Sequence, residues 1–144
     1  MVILKKGVLF LCTGNSCRSQ MAEGFVKKML SKDLNIFSAG LEPKGIHPMA
    51  VKVMQEIGLD ISRQKSKNIS EIPIGEIDIV ITLCGDAAER CPVFPGKVKR
   101  IHWELEDPAK AQGSKEEIIK IFQKVRDKIK SHIKNEKWFN FVKY

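Results

Sequence analysis

The chain has no long apolar run. No stretch of its 144 residues approaches the roughly 20 apolar residues that a bilayer-spanning helix needs. Its start, Met1-Val2-Ile3-Leu4-Lys5-Lys6, places charge after the apolar residues and lacks a small-residue cleavage site, the reverse of a secretory signal. A soluble, cytoplasmic protein without a membrane partner is expected. Cysteine is sparse, with only four residues, and an intracellular chain does not use so few as a disulfide framework. Four residues separate Cys12 from Cys17 and six separate Cys84 from Cys91. Neither pair is C-x-x-C and no histidine stands at ligand spacing, so no metal is expected and catalytic or redox use is the better reading. There is also no G-x-x-x-x-G-K-[ST] loop, helix-turn-helix, zinc-finger pattern, internal repeat or low-complexity block. Acidic residues are the minority, 17 against 25 Lys plus Arg, for a net charge of +8. Such a charge attracts anions in general, yet its sign does not choose among phosphates, nucleic acid and acidic protein faces. Lysine is spread over the chain, denser from Lys115 to Lys143, which reads as a solvated surface, and no nucleic-acid partner is expected.

What is present is an alternation of strands and helices. Val8-Leu9-Phe10-Leu11 is a short, wholly apolar run that suits a strand buried on both faces. Ser19 to Ser31 reads as a helix with Met21, Ala22, Phe25, Met29 and Leu30 inward. Asn35 to Ala39 reads as a strand stopped by Gly40. Pro48 to Ile57 reads as a helix, with proline near its start and Gly58 beyond its end. Ile77 to Leu83 is the clearest strand, a helical stretch follows from Asp86, and Val98 to Trp103 is a shorter strand. Ser114 to about Lys134 is the last helix, opened by the capping-box pair Ser114 and Glu117 and striped by Ile118, Ile121, Phe122, Val125 and Ile129. The pattern implies one α/β domain over residues 1–144: a three-layer sandwich with a four-stranded parallel sheet and helices on both faces, its strand order taken as 2-1-3-4. Residues 134–144 form a candidate C-terminal tail. Its aromatics from Trp138 to Tyr144 are expected to fold back on the domain.

Ligands of such sheets bind beyond the carboxyl ends of the strands, where the strand order reverses. Order 2-1-3-4 sets the loops that start at Cys12 and Cys84 side by side, so two cysteines 72 positions apart become neighbours. In the first loop, Cys12 and Arg18 bracket Thr13, Gly14, Asn15, Ser16 and Cys17 between a strand and a helix. Gly14 is expected to take backbone angles closed to other residues, letting the loop curl with its amides inward as an anion nest. The helix that follows adds the positive end of its dipole, and Arg18 a fork of donors matched to a tetrahedral oxyanion. That environment favours thiolate over thiol at Cys12 and would make it a nucleophile. Ser19 is expected to donate to the thiolate, and Asn15 to hold the loop through side-chain to backbone bonds. Without function, the same stretch is a small buried cysteine in a plain turn.

Residues 12–24, Cys-Thr-Gly-Asn-Ser-Cys-Arg-Ser-Gln-Met-Ala-Glu-Gly, do not stand alone. Phe37 precedes Ser38-Ala39-Gly40. Thr82-Leu83-Cys84-Gly85-Asp86-Ala87-Ala88 is followed by Cys91-Pro92, then by His102-Trp103, Asp107-Pro108-Ala109 and the helix carrying Phe122-Gln123 and Val125-Arg126-Asp127. Together these resemble the thioredoxin-coupled arsenate reductases built on the low-molecular-weight tyrosine phosphatase fold. The resemblance runs over roughly residues 7–133. It implies arsenate as substrate and thioredoxin as electron donor, no cofactor, and action as a monomer. Cys12 would attack arsenate held by the loop amides and Arg18, and Asp107 would protonate the departing oxygen. Cys84 would then attack Cys12, releasing arsenite, and Cys91 would attack Cys84 to leave a disulfide for thioredoxin.

On a helix, positions seven apart lie about 10.5 Å apart along the axis. A disulfide needs Cα atoms within about 7 Å, so a redox-switched segment is expected over residues 84–94. Cys17 is read as a structural loop residue, with reserve pairing to Cys12 as the alternative, and Glu106 as a solvated neighbour of Asp107. Many relatives hold a monovalent cation beside the loop through Asn, Glu, Ser and Asp. Asn15, Glu23 and Ser38 match, but Lys67 stands where the Asp is expected, which implies an ammonium in the cation's place and no potassium requirement. His47 is expected in a surface loop, His102 as a satisfied structural residue and His132 exposed.

The alternative is a tyrosine phosphatase of the same fold. Those enzymes usually carry an aromatic residue after Asp-Pro, where this chain has Ala109, and they have no use for Cys84 and Cys91. A non-catalytic thiol sensor for arsenite or a soft metal is a third reading.

Overall fold

The computed structural model describes residues 5–30, 34–135 and 138. Its elements run β1 (Lys6–Cys12), α1 (Arg18–Leu30), β2 (Leu34–Gly40), α2 (Pro48–Gln55), β3 (Ile79–Thr82), α3 (Gly85–Glu89), β4 (Lys99–His102) and α4 (Lys115–Lys134). The strands form one sheet of order β2-β1-β3-β4 with every pair parallel. Right-handed crossovers from β1 to β2 and from β3 to β4 run in opposite directions across it, which sets α1 and α3 on opposite faces. Val8 to Leu11 and Val80 to Ile81 have no exposed surface, as strands covered on both sides should.

Boundaries differ from the sequence expectation where side chains intervene. β3 begins at Ile79 rather than Ile77, because the Asp78 carboxylate accepts the Gly7 N–H at 2.8 Å. α2 ends at Gln55, short of Ile57, and the chain turns away through Gly58 at φ +81°. The expected end of α1 at Ser31 lies outside the described residues. Met29, expected inward, is 43% exposed on the last turn of α1, and Leu30 is only half-buried. α4 matches closely. Ser114 accepts the Glu117 N–H at 3.1 Å and Glu117 accepts the Ser114 N–H at 3.4 Å. Phe122, Val125 and Ile129 are fully buried on a helix that packs beside α1 and α2, while Ile118 and Ile121 are half-buried.

Two histidine expectations are corrected. His47 is half-buried and caps α2: its Nδ1 accepts the Met49 N–H at 3.0 Å, and its ring lies 4.9 Å from Phe122. His132 is half-buried and stacks on Trp103, with centroids 4.8 Å apart and planes at 12°. Trp103 is wide enough to shield the imidazole, which is why a position on the outer part of α4 does not expose it. Trp103 also meets Phe10 and Trp138, and Trp138 donates to the Ile133 carbonyl at 2.9 Å. The chain therefore folds back at Trp138, whereas Lys137 and Phe139 to Tyr144 lie outside the described residues. His102, expected as a satisfied structural residue, is exposed and paired on both ring nitrogens, with Thr82 at 2.8 Å and Glu104 at 2.5 Å. No helix among the described residues is long and apolar enough to cross a membrane.

Burial pushes the His132 imidazole below its usual range, helped by Lys128. The folded state then binds its proton less well than the unfolded chain. Stability should be unaffected by this group at high pH and fall as pH drops below about 6.5. Urea titrations from pH 8 to pH 5 should show this slope in the native chain and a shallower one in His132→Phe. An equal slope in both assigns the loss to other groups.

Candidate active site

The site forms where β1 and β3 end together. Leu11 pairs with Thr82 and Cys12 with Gly40, and the Leu83 N–H donates to the Leu11 carbonyl at 2.9 Å. The chain leaves both strands at the same edge, so the segments starting at Cys12 and Cys84 face one cavity. The segment after β2 shapes the loop. The N–H groups of Leu41, Glu42, Lys44 and His47 donate to the carbonyls of Cys12, Thr13, Gly14 and Ser16 at 3.3, 2.8, 2.9 and 3.0 Å. Gln20 Nε2 takes the Asn15 carbonyl at 3.0 Å. In a trans peptide the N–H opposes the C=O. Tying the carbonyls back on this side turns the loop amides the other way, toward the cavity. The Asn15 N–H, at 3.2 Å from Cys12 Sγ, shows the result.

The left-handed residue of the loop is Asn15, at φ +45°, and not Gly14 as expected from the sequence. A Cβ at Gly14 would meet only ordinary contacts, 3.4 Å from Ser16 Oγ and 3.6 Å from Lys44 Cδ. Asn15 tolerates this conformation because its side chain is bound at both ends. Nδ2 donates to Ser19 Oγ at 2.7 Å and Ser38 Oγ at 3.1 Å, while Oδ1 accepts from Gln20 at 3.0 Å and the Lys67 N–H at 2.7 Å. The glycine that the loop requires is Gly40. A Cβ there would lie 2.6 Å from the Thr13 carbonyl and 2.8 Å from the Asn15 nitrogen. Nothing in the local sequence around Cys12 points to Gly40, which enters only through strand pairing.

Cys12 is 2% exposed, and its Sγ lies 2.8 Å from Ser19 Oγ. Ser19 already accepts the Asn15 amide, so its own proton is available to the sulfur. Arg18 is buried. One nitrogen donates to the Leu105 carbonyl at 3.1 Å and the other lies 3.6 Å from Asp107 Oδ2. Asp107 accepts the Ala109 N–H at 3.0 Å. Glu106 is exposed and pairs with Lys124 at 3.7 Å. Thr13, Gly14, Ser16, Cys17, Arg18, Cys84 and Asp107 line, with Cys12, a cavity of about 470 Å³. Asn15 and Ser19 support it from behind, fully buried. Burial pushes the Cys17 thiol up to about 12, and its sulfur lies 3.6 Å from Ser16 Oγ.

Cys84 is the N-cap of α3. Its Sγ accepts the Ala87 N–H at 3.3 Å and lies 3.4 Å from Thr13 Oγ1. Cys91 is not brought to this cavity. It sits half-buried past the far end of α3, lining a separate space of about 160 Å³ with Val80, Arg100 and His102, and burial raises its thiol against the pull of Arg100. All four cysteines are free thiols.

Behind the loop, Ser38 Oγ donates to Glu23, Lys27 Nζ meets Glu23 at 2.5 Å, and Lys67 Nζ lies 3.8 Å from Glu23 and 2.5 Å from the Lys65 carbonyl. Burial lowers the Lys67 ammonium against the opposing pull of Glu23. The oxygens of Asn15, Ser38 and Glu23 are engaged by one another and by these donors. The set does not fit a monovalent cation.

A cysteine on an inward-amide loop with a buried arginine and a facing carboxylate defines a thiol-based oxyanion enzyme. Residues 7–143 match the family model described as low molecular weight phosphotyrosine protein phosphatase, and the chain belongs to that family. A curated arsenate reductase of Shouchella clausii is 56% identical over 130 residues, covering 90% of this chain and 94% of its own. The solved structure of an arsenate reductase in the oxidized state superposes with a TM-score of 0.79 at 36% identity, over 90% of this chain and 95% of the other. A thioredoxin-dependent arsenate reductase of Corynebacterium glutamicum superposes with a TM-score of 0.69 at 30% identity, over 93% of this chain and 63% of its own.

Gly40→Ala should force the Thr13 and Asn15 backbone away from β2. It is expected to cost about 1–3 kcal/mol in urea unfolding and to weaken inorganic phosphate binding measured by calorimetry. Gly75→Ala, with open space around the added methyl, serves as control. Unchanged phosphate affinity in a destabilised Gly40→Ala would show that the loop does not depend on this contact.

Proposed function

We propose that this protein is an arsenate reductase that works by a relay of Cys12, Cys84 and Cys91 and is re-reduced by thioredoxin. The observation that carries the reading is that Cys84 faces the cavity of Cys12, with a third thiol just past the far end of α3. The loop amides and Arg18 hold arsenate. The Cys12 thiolate attacks arsenic, and Asp107 gives its proton to the departing oxygen, which leaves as water. The Cys84 thiolate then attacks Cys12 Sγ. The sulfur–arsenic bond breaks with its electron pair on arsenic, which leaves as arsenite, and a Cys12–Cys84 disulfide forms. Cys91 attacks Cys84, restoring the Cys12 thiolate. Two thiols have supplied two electrons, and the dithiol of thioredoxin restores them.

Cys91 must travel for the second exchange. α3 spans Gly85–Glu89, and seven helical positions cover about 10.5 Å, beyond disulfide reach. The segment 84–94 therefore unwinds when Cys91 reacts. Gly85, which has open space around it, is suited to the hinge. Lys67 holds the cation's place beside the loop. The working unit is taken as one chain, and a thioredoxin donor implies a reducing compartment, the cytoplasm.

Phosphatase chemistry is the second reading, favoured by the family and by the Cys12, Arg18 and Asp107 set alone. Ala109 leaves no aromatic wall for a phenyl ring after Pro108, so ester cleavage is a slow side activity. Arsenate turnover with a thioredoxin system separates the readings. Cys84→Ser and Cys91→Ser should each lose about 100-fold or more of multiple turnover while keeping aryl phosphate hydrolysis. Sustained arsenate turnover in either variant would end the relay.

A further inference from the structure

The hydroxyl of Thr13 bridges two groups of α3. It lies 2.7 Å from Asp86 Oδ2 and 3.4 Å from Cys84 Sγ. A hydroxyl has one proton, and an ionised carboxylate can only accept. The shorter contact therefore takes the Thr13 proton. Asp86 stays ionised: Arg90, which donates to its two oxygens at 2.8 and 2.7 Å, and the Thr13 hydrogen bond hold its carboxyl down at about 2. With its proton committed to Asp86, Thr13 can offer Cys84 only a lone pair. That suits a thiol, which donates, and not a thiolate, which must accept.

We infer that Asp86 is a positioning residue that gates the second nucleophile of the relay. It withholds the Thr13 proton from Cys84 in the resting enzyme and releases it when α3 or the oxyanion loop shifts. As Cys84 gives its own proton to water in the cavity, the Thr13 hydroxyl turns from the carboxylate to the sulfur. No bond between heavy atoms forms or breaks in this switch. Arg90 belongs to the gate, because it also reaches Glu42 at 3.4 Å, on the segment that ties back the loop carbonyls. The gate thus joins the loop, α3 and the segment after β2.

The significance for catalysis rests on the relay proposed above, but the switch itself is a statement about one thiol. Charged and titratable groups approach the same cavity from each side. The loop presents Cys12, Cys17 and Arg18, the segment after β2 Glu42 and Lys44, and the turn before α4 Asp107 and Lys110. Removing the Asp86 charge alone would also favour a thiolate, so the test must separate charge from proton.

Iodoacetamide alkylation of Cys84 in the reduced full-length protein, resolved by peptide mass spectrometry from pH 5 to pH 10, provides the separation. Asp86→Ala should alkylate Cys84 at pH 7 about threefold faster or more, with its profile displaced to lower pH by about half a unit. In a Thr13→Val background, the same Asp86→Ala change should displace the profile by clearly less, leaving only the effect of the lost charge. An equal displacement in both backgrounds makes the whole effect one of charge and overturns the gate. No displacement, or one to higher pH, overturns it as well. Because no arsenate is used, failure of the relay leaves this result readable.

Discussion

The site depends on where the carbonyls of residues 12–16 are held. A loop that is to bind an oxyanion must turn its amides inward, and a peptide cannot do so unless its carbonyl finds a partner on the other side. Here the partners are the amides of residues 41–47 and the Gln20 carboxamide. This explains why a site usually drawn as seven residues requires β2, the segment beyond it and the side of α1 to be in place. It also explains Gly40: the strand that supplies the donors must come within a methyl's width of the loop. Asn15 then fixes the one left-handed residue, with Ser19, Ser38, Gln20 and Lys67 all bound to its side chain. Polar groups this buried stabilise only when fully paired, and no unpaired buried side-chain nitrogen or oxygen occurs among the described residues.

The second constraint is the parallel register. Because β1 and β3 pair through Leu11 and Thr82, the sulfurs of Cys12 and Cys84 leave the sheet at one level. The family fold supplies an oxyanion cradle and a nucleophile. Reduction additionally needs a thiol that shares the cavity and a third that does not yet share it. Cys84 and Cys91 occupy those two positions, at the start of α3 and past its end. In the relay proposed above, Cys91 is needed only once the Cys12–Cys84 disulfide has formed, because two free thiols cannot join without an oxidant.

Much of this was legible in the sequence. The apolar runs marked the strands of a parallel sheet, and it was the order 2-1-3-4, taken for that sheet, that made Cys12 and Cys84 neighbours. Ser114 with Glu117 marked the last helix, and Ser19 and Asn15 were readable as supports because loop chemistry is local. What escaped depends on contacts between distant segments. Gly14 was given the conformational role that Asn15 holds, since glycine is the usual residue for it and the side-chain network that overrides this preference is tertiary. Gly40 read as the stop of a strand. His47 and His132 read as surface residues because Phe122 and Trp103, which cover them, are far away in sequence. The Thr13, Asp86 and Arg90 chain had no sequence signal, because a half-buried loop residue and two exposed residues of α3 and its end meet only in the fold.

Reduction by this chain requires Cys84 as the second nucleophile. One equivalent of arsenate added to Cys91→Ser, followed by non-reducing peptide mapping, tests it directly. The relay predicts a Cys12–Cys84 disulfide in proportion to the arsenite released. A Cys12–Cys17 link, or arsenite released with Cys84 still a free thiol, would contradict it.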